Sequence, residues 1–171
     1  MLNREQILEL IRQRQLVSDY IDLDTQVTPN GFDLTVAQVH AFEGGGALDF
    51  SNKERRLPAT RQLAAEKRDA GDACGWWTLP AGAYKIVTNE TVRLPKDLIG
   101  IAFARSSLLR MGAFTQTGVW DAGFQGKSEF ILLISNPQGM RLKQNARVVQ
   151  LLFTHITETE QGYNGIYQEK K

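Results

Sequence analysis

Ala104-Arg105-Ser106-Ser107-Leu108-Leu109-Arg110 sets two hydroxyls and two guanidiniums directly after the apolar run Leu98 to Phe103. The run predicts a strand, and the Ser-Ser-Leu-Leu step predicts the first turn of a helix with Ser106 or Ser107 as its cap. Free backbone N–H groups at such a junction suit phosphate, and Arg105 and Arg110 add forked donors matched to phosphate oxygens. Read alone, the same residues also make an ordinary N-cap followed by a surface arginine. The neighbouring stretches decide between the two.

Towards the C-terminus, Thr117-Gly118-Val119-Trp120-Asp121-Ala122-Gly123-Phe124-Gln125-Gly126 is an apolar approach ending in a carboxylate inside a glycine-punctuated turn. Asp121 can position and deprotonate a water if its surroundings hold it ready to accept the proton. By itself an Asp before Ala-Gly is equally a turn residue, and Phe124 suits a core as well as a sugar-stacking ring. Farther on, Asn145-Ala146-Arg147-Val148-Val149-Gln150-Leu151-Leu152-Phe153 reads as a strand with Arg147 at its start and Gln150 in an apolar run. A glutamine there either satisfies neighbouring backbone or faces a ligand.

Asn3 followed by Gln6 has capping-box spacing, and Ile7, Leu8 and Ile11 then share a face, so an amphipathic helix is expected within residues 1–18. Beyond it, short alternating segments separated by Asp/Thr/Pro/Asn/Gly turns are expected as strands: Phe32 to Val39, Tyr84 to Val87, Leu98 to Phe103, Phe130 to Ile134 and Val148 to Ile156. This spacing predicts an all-β sandwich or barrel with minor helices. Residues 51–75, crowded with Lys, Arg, Glu and Asp and lacking apolar periodicity, are expected as an inserted charged loop or exposed helix. No internal repeat or low-complexity linker divides the chain, so one domain over 1–171 is expected.

With 171 residues, 42% hydrophobic and 23% charged, the chain can bury a core without covalent staples. A formal net charge of +1 gives no general footprint for nucleic acid. No apolar run reaches the roughly 20 residues of a membrane span, and no signal-peptide core is present, so a cytoplasmic protein is expected. Cys74 is the only cysteine and His40 and His155 the only histidines, which argues against a thiolate or zinc centre. A hard cation held by carboxylates and substrate phosphates stays open.

Taken together, the motifs resemble those of the dUTPase and dCTP deaminase superfamily across roughly residues 28 to 153. Asn30-Gly31-Phe32-Asp33-Leu34 is similar to its first motif, and Leu79-Pro80-Ala81-Gly82 with Thr88-Asn89-Glu90-Thr91-Val92-Arg93-Leu94-Pro95 to the deaminase branch's lead-in to the second. Arg105-Ser106-Ser107-Leu108 resembles the phosphate motif, with Arg110 at the branch's second arginine. Gly118-Val119-Trp120-Asp121 resembles the motif whose aspartate orients the attacking water, and Phe124 stands where a ring packs on deoxyribose. Arg147-Val148-Val149-Gln150-Leu151 resembles the motif that helps hold the triphosphate.

The resemblance implies a distorted β-barrel or jelly roll, assembled as a homotrimer with sites at subunit interfaces. It also implies dUTP as substrate, hydrolysed to dUMP and pyrophosphate with Mg2+ bound mainly through the triphosphate. Asp121 is the expected catalytic residue. Arg105, Ser106, Ser107, Arg110, Arg147 and Gln150 are expected on the phosphates, Thr117, Gly118 and Val119 on the base, Phe124 on the sugar, and Asp33 as a supporting residue that does not itself touch substrate. The tail over 160–171, with Tyr163, Tyr167 and Gln168, is expected as a mobile lid. Trp76 and Trp77 fit either subunit contacts or the core.

In the deaminase branch a glutamate ten residues beyond the aspartate activates water, and the gapless equivalent here is Ile131. Glu129, two residues earlier on the same strand face, reaches that place only with a shift of register. The expectation is therefore a dUTP pyrophosphohydrolase, with a dCTP deaminase or bifunctional enzyme, or an inactive nucleotide-binding regulator, as the alternatives.

Overall fold

A computed structural model describes residues 1–168; the last part of the expected lid, 169–171, lies outside the described residues. The first helix, α1 (Arg4–Arg14), opens on the expected box: Gln6 N–H donates to the Asn3 side chain at 3.0 Å, and Asn3 N–H donates to Gln6 Oε1 at 3.1 Å. Ile7 and Ile11 are buried. The helix stops short of residue 18, because Gln15 adopts a left-handed conformation at φ 54°. Val17–Ser18 (β1) then pairs as a strand with Val92 and Thr91.

The remaining elements are α2 (Leu23–Gln26), β2 (Val27–Thr28), β3 (Gly31–Glu43), β4 (Ala59–Gln62), β5 (Trp76–Leu79), β6 (Gly82–Arg93), β7 (Leu98–Ala104), α3 (Ser106–Arg110), β8 (Ala113–Gln116), β9 (Gln125–Ile134), β10 (Met140–Lys143) and β11 (Arg147–His155). The five expected strand segments fall on β3, β6, β7, β9 and β11, the last ending one residue early at His155. The main sheet runs β7-β11-β3-β6-β9-β8, with β1 beside β6 and both β2 and β4 beside β3. Its two ends are drawn together where α3 links β7 to β8 and where Gly100 bridges Trp120, so the sheet nearly closes into a barrel.

Alternation along the strands sorts the side chains. On β9, Gly126, Ser128, Phe130, Leu132 and Ile134 are buried, while Gln125, Lys127, Glu129 and Ile131 face outward. Phe32, Leu34, Val36, Ile86, Leu132, Leu151 and Phe153 form the sealed centre of the core; each such side chain contributes about 1.5–3 kcal/mol by leaving water.

The charged segment 51–75 holds no helix. It contributes β4, an edge strand aligned from Ala59 opposite Glu43 to Gln62 opposite His40. Trp77 belongs to the core, 3% exposed, with Nε1–H donated to the Leu63 carbonyl at 2.9 Å, so it is no surface aromatic for a subunit contact. Trp76 lies beneath Arg141, Arg68 and Lys143, at 4.8, 5.2 and 5.6 Å from the ring centroid.

One irregularity matters for the site. Between the pairs Val87↔Glu129 and Thr91↔Lys127, the three residues Thr88, Asn89 and Glu90 of β6 stand opposite Ser128 alone. This is a three-against-one β-bulge in the strand that lies between β3 and β9.

Candidate active site

Two groups of the expected site residues are held at separate places on the chain. The first surrounds Asp33 of β3, whose side chain is only 3% exposed. Its Oδ2 binds Arg105 Nη1 at 2.7 Å and Arg147 Nη1 at 3.2 Å. Arg147 also donates to the Thr25 carbonyl at 2.8 Å. Arg105 follows β7 and donates its N–H to the Val148 carbonyl at 3.0 Å, next to the irregularity that separates Arg147 from Val149 in β11. Gln150 lies opposite Asp33 on one side and Phe103 on the other, and its amide donates to the Thr28 hydroxyl. Burial raises the Asp33 pKa above the ordinary carboxylate value, with Arg105 and Arg147 pulling the other way. The arginines are thus fixed by a buried carboxylate that engages one nitrogen of each, leaving further donors for an anion.

The helix-cap expectation at this junction is corrected. Arg105 itself occupies the N-cap position, and its side chain makes no cap hydrogen bond. Extended backbone at Arg105 (φ -65°, ψ 143°) carries the strand one residue further than the serine motif suggests. Ser106 and Ser107 are exposed within the first turn, and Arg110 Nη1 donates to Ser106 Oγ at 3.3 Å.

The second group walls a pocket of about 430 Å³. The pocket is lined by Gly118, Val119, Trp120 and Asp121, by Lys127, Glu129 and Ile131 of β9 with Lys85 of β6, and by Tyr163 and Tyr167 of the tail. Thr117 does not line it. Phe124 does, 8% exposed and edge-on to Tyr163 with ring centroids 5.7 Å apart. Asp121 is exposed, and its carbonyl closes the turn by accepting Phe124 N–H at 3.0 Å. Arg105, Ser106, Ser107, Arg110, Arg147 and Gln150 are absent from these walls among the described residues. One chain therefore carries a carboxylate half and a guanidinium half that do not meet within it.

The tail crosses the Asp121 turn at close quarters. Tyr163 N–H donates to the Ala122 carbonyl at 2.8 Å, and the Gln168 amide bridges Gln125 N–H at 3.1 Å and the Gly123 carbonyl at 3.0 Å. Gly123 has φ 83°, and a Cβ on it would stand 2.8 Å from Gly162 Cα, so the crossing needs glycine there.

Strand register brings Glu129 and Ile131 to the same pocket with no shift. Ile131 lies opposite Lys85 and Glu129 opposite Val87, and Lys85 Nζ pairs with Glu129 Oε1 at 3.4 Å. Sequence reasoning missed Lys85, Lys127 and the apolar rim of Phe42 and Leu57. Period-two alternation from Glu129 points to Lys127, whereas Lys85, Phe42 and Leu57 arrive through long-range pairing and carry no local signal.

The chain is thus a near-closed antiparallel barrel with paired guanidiniums on a buried carboxylate and an aspartate on a glycine hairpin beside an aromatic-lined pocket. Residues 1–156 match the dCTP deaminase-like family, and the chain belongs to it. It is 44% identical to the probable deoxyuridine 5'-triphosphate nucleotidohydrolase of Methanosarcina mazei, over 99% of this chain and 97% of that one. Against the Archaeoglobus fulgidus protein of the same description the values are 42%, 98% and 95%. The deoxyuridine 5'-triphosphate nucleotidohydrolase of Methanocaldococcus jannaschii is 32% identical over 85% of this chain and 88% of its own. Among solved structures, the 2'-deoxycytidine 5'-triphosphate deaminase of Agrobacterium tumefaciens shares the fold, with a TM-score of 0.62 and 21% identity over 89% of this chain and 45% of that one.

Proposed function

We infer that this chain is a dUTP nucleotidohydrolase that releases dUMP and pyrophosphate. The observation that carries the reading is Asp121 at the mouth of a nucleoside-sized pocket, on a hairpin pinned from behind through Trp120. Relatives that share more than two fifths of their residues with nearly the whole chain carry that description.

In the reaction, Asp121 accepts a hydrogen bond from water and directs it at the α-phosphorus, taking its proton as the P–O bond forms. The bridging oxygen leaves with the pyrophosphate, whose growing charge is met by Arg105, Arg110, Ser106, Ser107 and Gln150. Asp33 holds Arg105 and Arg147 in place before substrate arrives. Phe124 packs against the sugar, and the Gly118–Val119 backbone, with Thr117 beside it, addresses the base.

Among the described residues no cluster of three or more His, Cys, Asp or Glu side chains is disposed to hold a metal ion. That donor set fits magnesium bound chiefly through phosphate and water, with Asp121 and Glu129 as the carboxylates lining the pocket. When bound, the ion offsets triphosphate charge.

A homotrimer completes the site by placing the guanidinium half of one subunit against the Asp121 pocket of another. Ile101 and Phe103 on the outer face of β7, with Leu109, Met111 and Phe114 close by in sequence, are exposed apolar side chains flanking Arg105 to Arg110, as such a contact needs. No helix among the described residues is long and apolar enough to cross a membrane, and we place the enzyme in the cytoplasm, acting on free nucleotide without nucleic acid. A screen of deoxynucleoside triphosphates for pyrophosphate release, with light scattering for mass, tests both parts. Preference for another nucleotide overturns the substrate, and an active monomer overturns the trimer.

A further inference from the structure

A buried polar path joins the two halves and is not used in the reaction above. Trp120, which precedes the catalytic aspartate, donates Nε1–H to Ser128 Oγ at 2.8 Å. Ser128 N–H donates to Thr88 Oγ1 at 3.1 Å, and Thr88 Oγ1 donates to the Glu90 carbonyl at 3.1 Å. The Glu90 carboxylate, 0% exposed, accepts Gln26 Nε2–H at 2.7 Å, Thr35 N–H at 3.0 Å and the Thr35 hydroxyl. Gln26 spends its second N–H on the Asp33 carbonyl at 2.9 Å, while its oxygen accepts Ile21 and Asp22 N–H. Every member of the path from Ser128 to Asp33 is buried.

The path is centred on the three-residue bulge. An unbroken β6–β9 ladder would satisfy Ser128 N–H with a backbone carbonyl; here the Thr88 hydroxyl does so, and the bulge turns Glu90 inward. No cation pairs with Glu90 among the described residues, so hydrogen bonds from Gln26, Thr35 and its own backbone N–H balance its burial. A fold that needed only packing here would place an apolar residue at that position. The donors to the carboxylate lead to the Asp33 centre, Gln26 through the Asp33 carbonyl and Thr35 from its place opposite Arg147, while the Glu90 carbonyl leads through Thr88, Ser128 and Trp120 to the Asp121 turn.

We propose that the Thr88–Asn89–Glu90 bulge is a positioning element for catalysis. Thr88, acting through Ser128 and Trp120, sets the Asp121 turn, and Glu90, acting through Thr35 and Gln26, sets Asp33 and its two arginines. The proposal rests on the dUTP reading for its kinetic signature. The two arms act on different quantities. Misplacing Asp121 slows the chemical step, while loosening the guanidinium cluster weakens the triphosphate in ground and transition states alike.

The test is steady-state dUTP hydrolysis by Thr88→Val, Thr88→Ser, Ser128→Ala, Trp120→Phe and Glu90→Gln, with melting curves for each. Ser128→Ala, which loses one hydrogen bond, should lower kcat by about 10-fold, and Thr88→Val, which loses two, by about 10-fold or more, each with KM within about 2-fold. Thr88→Ser keeps the hydroxyl and should restore kcat. Ser128→Ala and Trp120→Phe break the same bond, so the double variant should be no slower than the slower single one. Glu90→Gln should raise KM by about 10-fold, more than it lowers kcat. Lowered melting temperatures with kcat and KM unchanged in these variants would overturn the proposal and leave the dUTP reading standing. Absence of dUTP turnover by the wild-type protein overturns that reading by itself. The positioning role is then decided by calorimetric dUTP binding, where equal Kd for wild type and Glu90→Gln overturns it.

Discussion

At the scale of single residues, Asp121 and Arg105 carry different parts of the free-energy change. Asp121 is exposed at a turn and makes its structural contribution through its backbone, so Asp121→Asn should fold and bind nucleotide normally. Its hydrolysis rate should fall by roughly 10²- to 10⁴-fold, since the amide no longer takes the proton from water. Near-normal turnover in that variant would remove Asp121 from its role. Arg105→Ala should weaken triphosphate binding as well as rate, read as a rise in KM with a fall in kcat. Glu90 adds a pH dependence. Burial raises its folded-state pKa, the hydrogen bonds from Thr35 and Gln26 opposing, so between the ordinary and raised values the folded state binds more proton than the unfolded one. This group's contribution to stability therefore increases as pH falls through that window and is lowest above the raised value. Melting curves should show wild type gaining on Glu90→Gln from neutral to mildly acidic pH; a constant gap would show that Glu90 does not titrate so. The motif residues were legible because their chemistry is local to a few positions. Lys85, Glu90 as a hub and the capless start of α3 were not, since pairing registers and a bulge place them.

At the scale of elements, the strands followed from alternation and the first helix from its capping box, but segment 51–75 did not. Its charges hide a strand whose only apolar side chain is Ala59, and β4 forms because the exposed edge of β3 offers unpaired backbone from His40 to Glu43. The tail was expected as a lid, and its contacts give that idea physical content. Gln168 and Tyr163 grip the backbone of the turn that carries Asp121, and Gly162 packs on Gly123. Apart from Tyr163, which packs on Phe124, the segment adds little to the core. Removal of residues from 162 onward should therefore leave a protein with native circular dichroism and nearly native melting temperature. Its turnover should drop, because Phe124 loses its edge-on partner and the pocket opens to bulk water. A truncated protein with full activity would exclude the tail from the reaction.

At the scale of the whole molecule, the strand register of β9 decides which side chains the pocket has to offer for either chemistry. Deamination of cytosine needs a group beside C4 that takes a proton from water and passes it to N3 and the departing amine. Where the resemblance to deaminases of the branch implies a glutamate, Ile131 stands, 40% exposed at the pocket wall and with no proton to move. Glu129 lies on the same face and in the same pocket, which makes it the carboxylate that would have to serve. It is one side-chain repeat along the strand from that place, about 7 Å away, and it is engaged by the Lys85 ammonium at 3.4 Å. The wild-type protein with magnesium should accordingly release pyrophosphate from dUTP and no detectable ammonia from dCTP. Ile131→Glu should gain little deamination, because the new carboxylate would stand opposite Lys85, whose positive charge favours the ionised form that has no proton to give to N3 or the amine. Ammonia from dCTP in the unmodified protein, lost on Glu129→Gln, would instead show that Glu129 leaves Lys85 when nucleotide binds and that the pocket deaminates as well as hydrolyses.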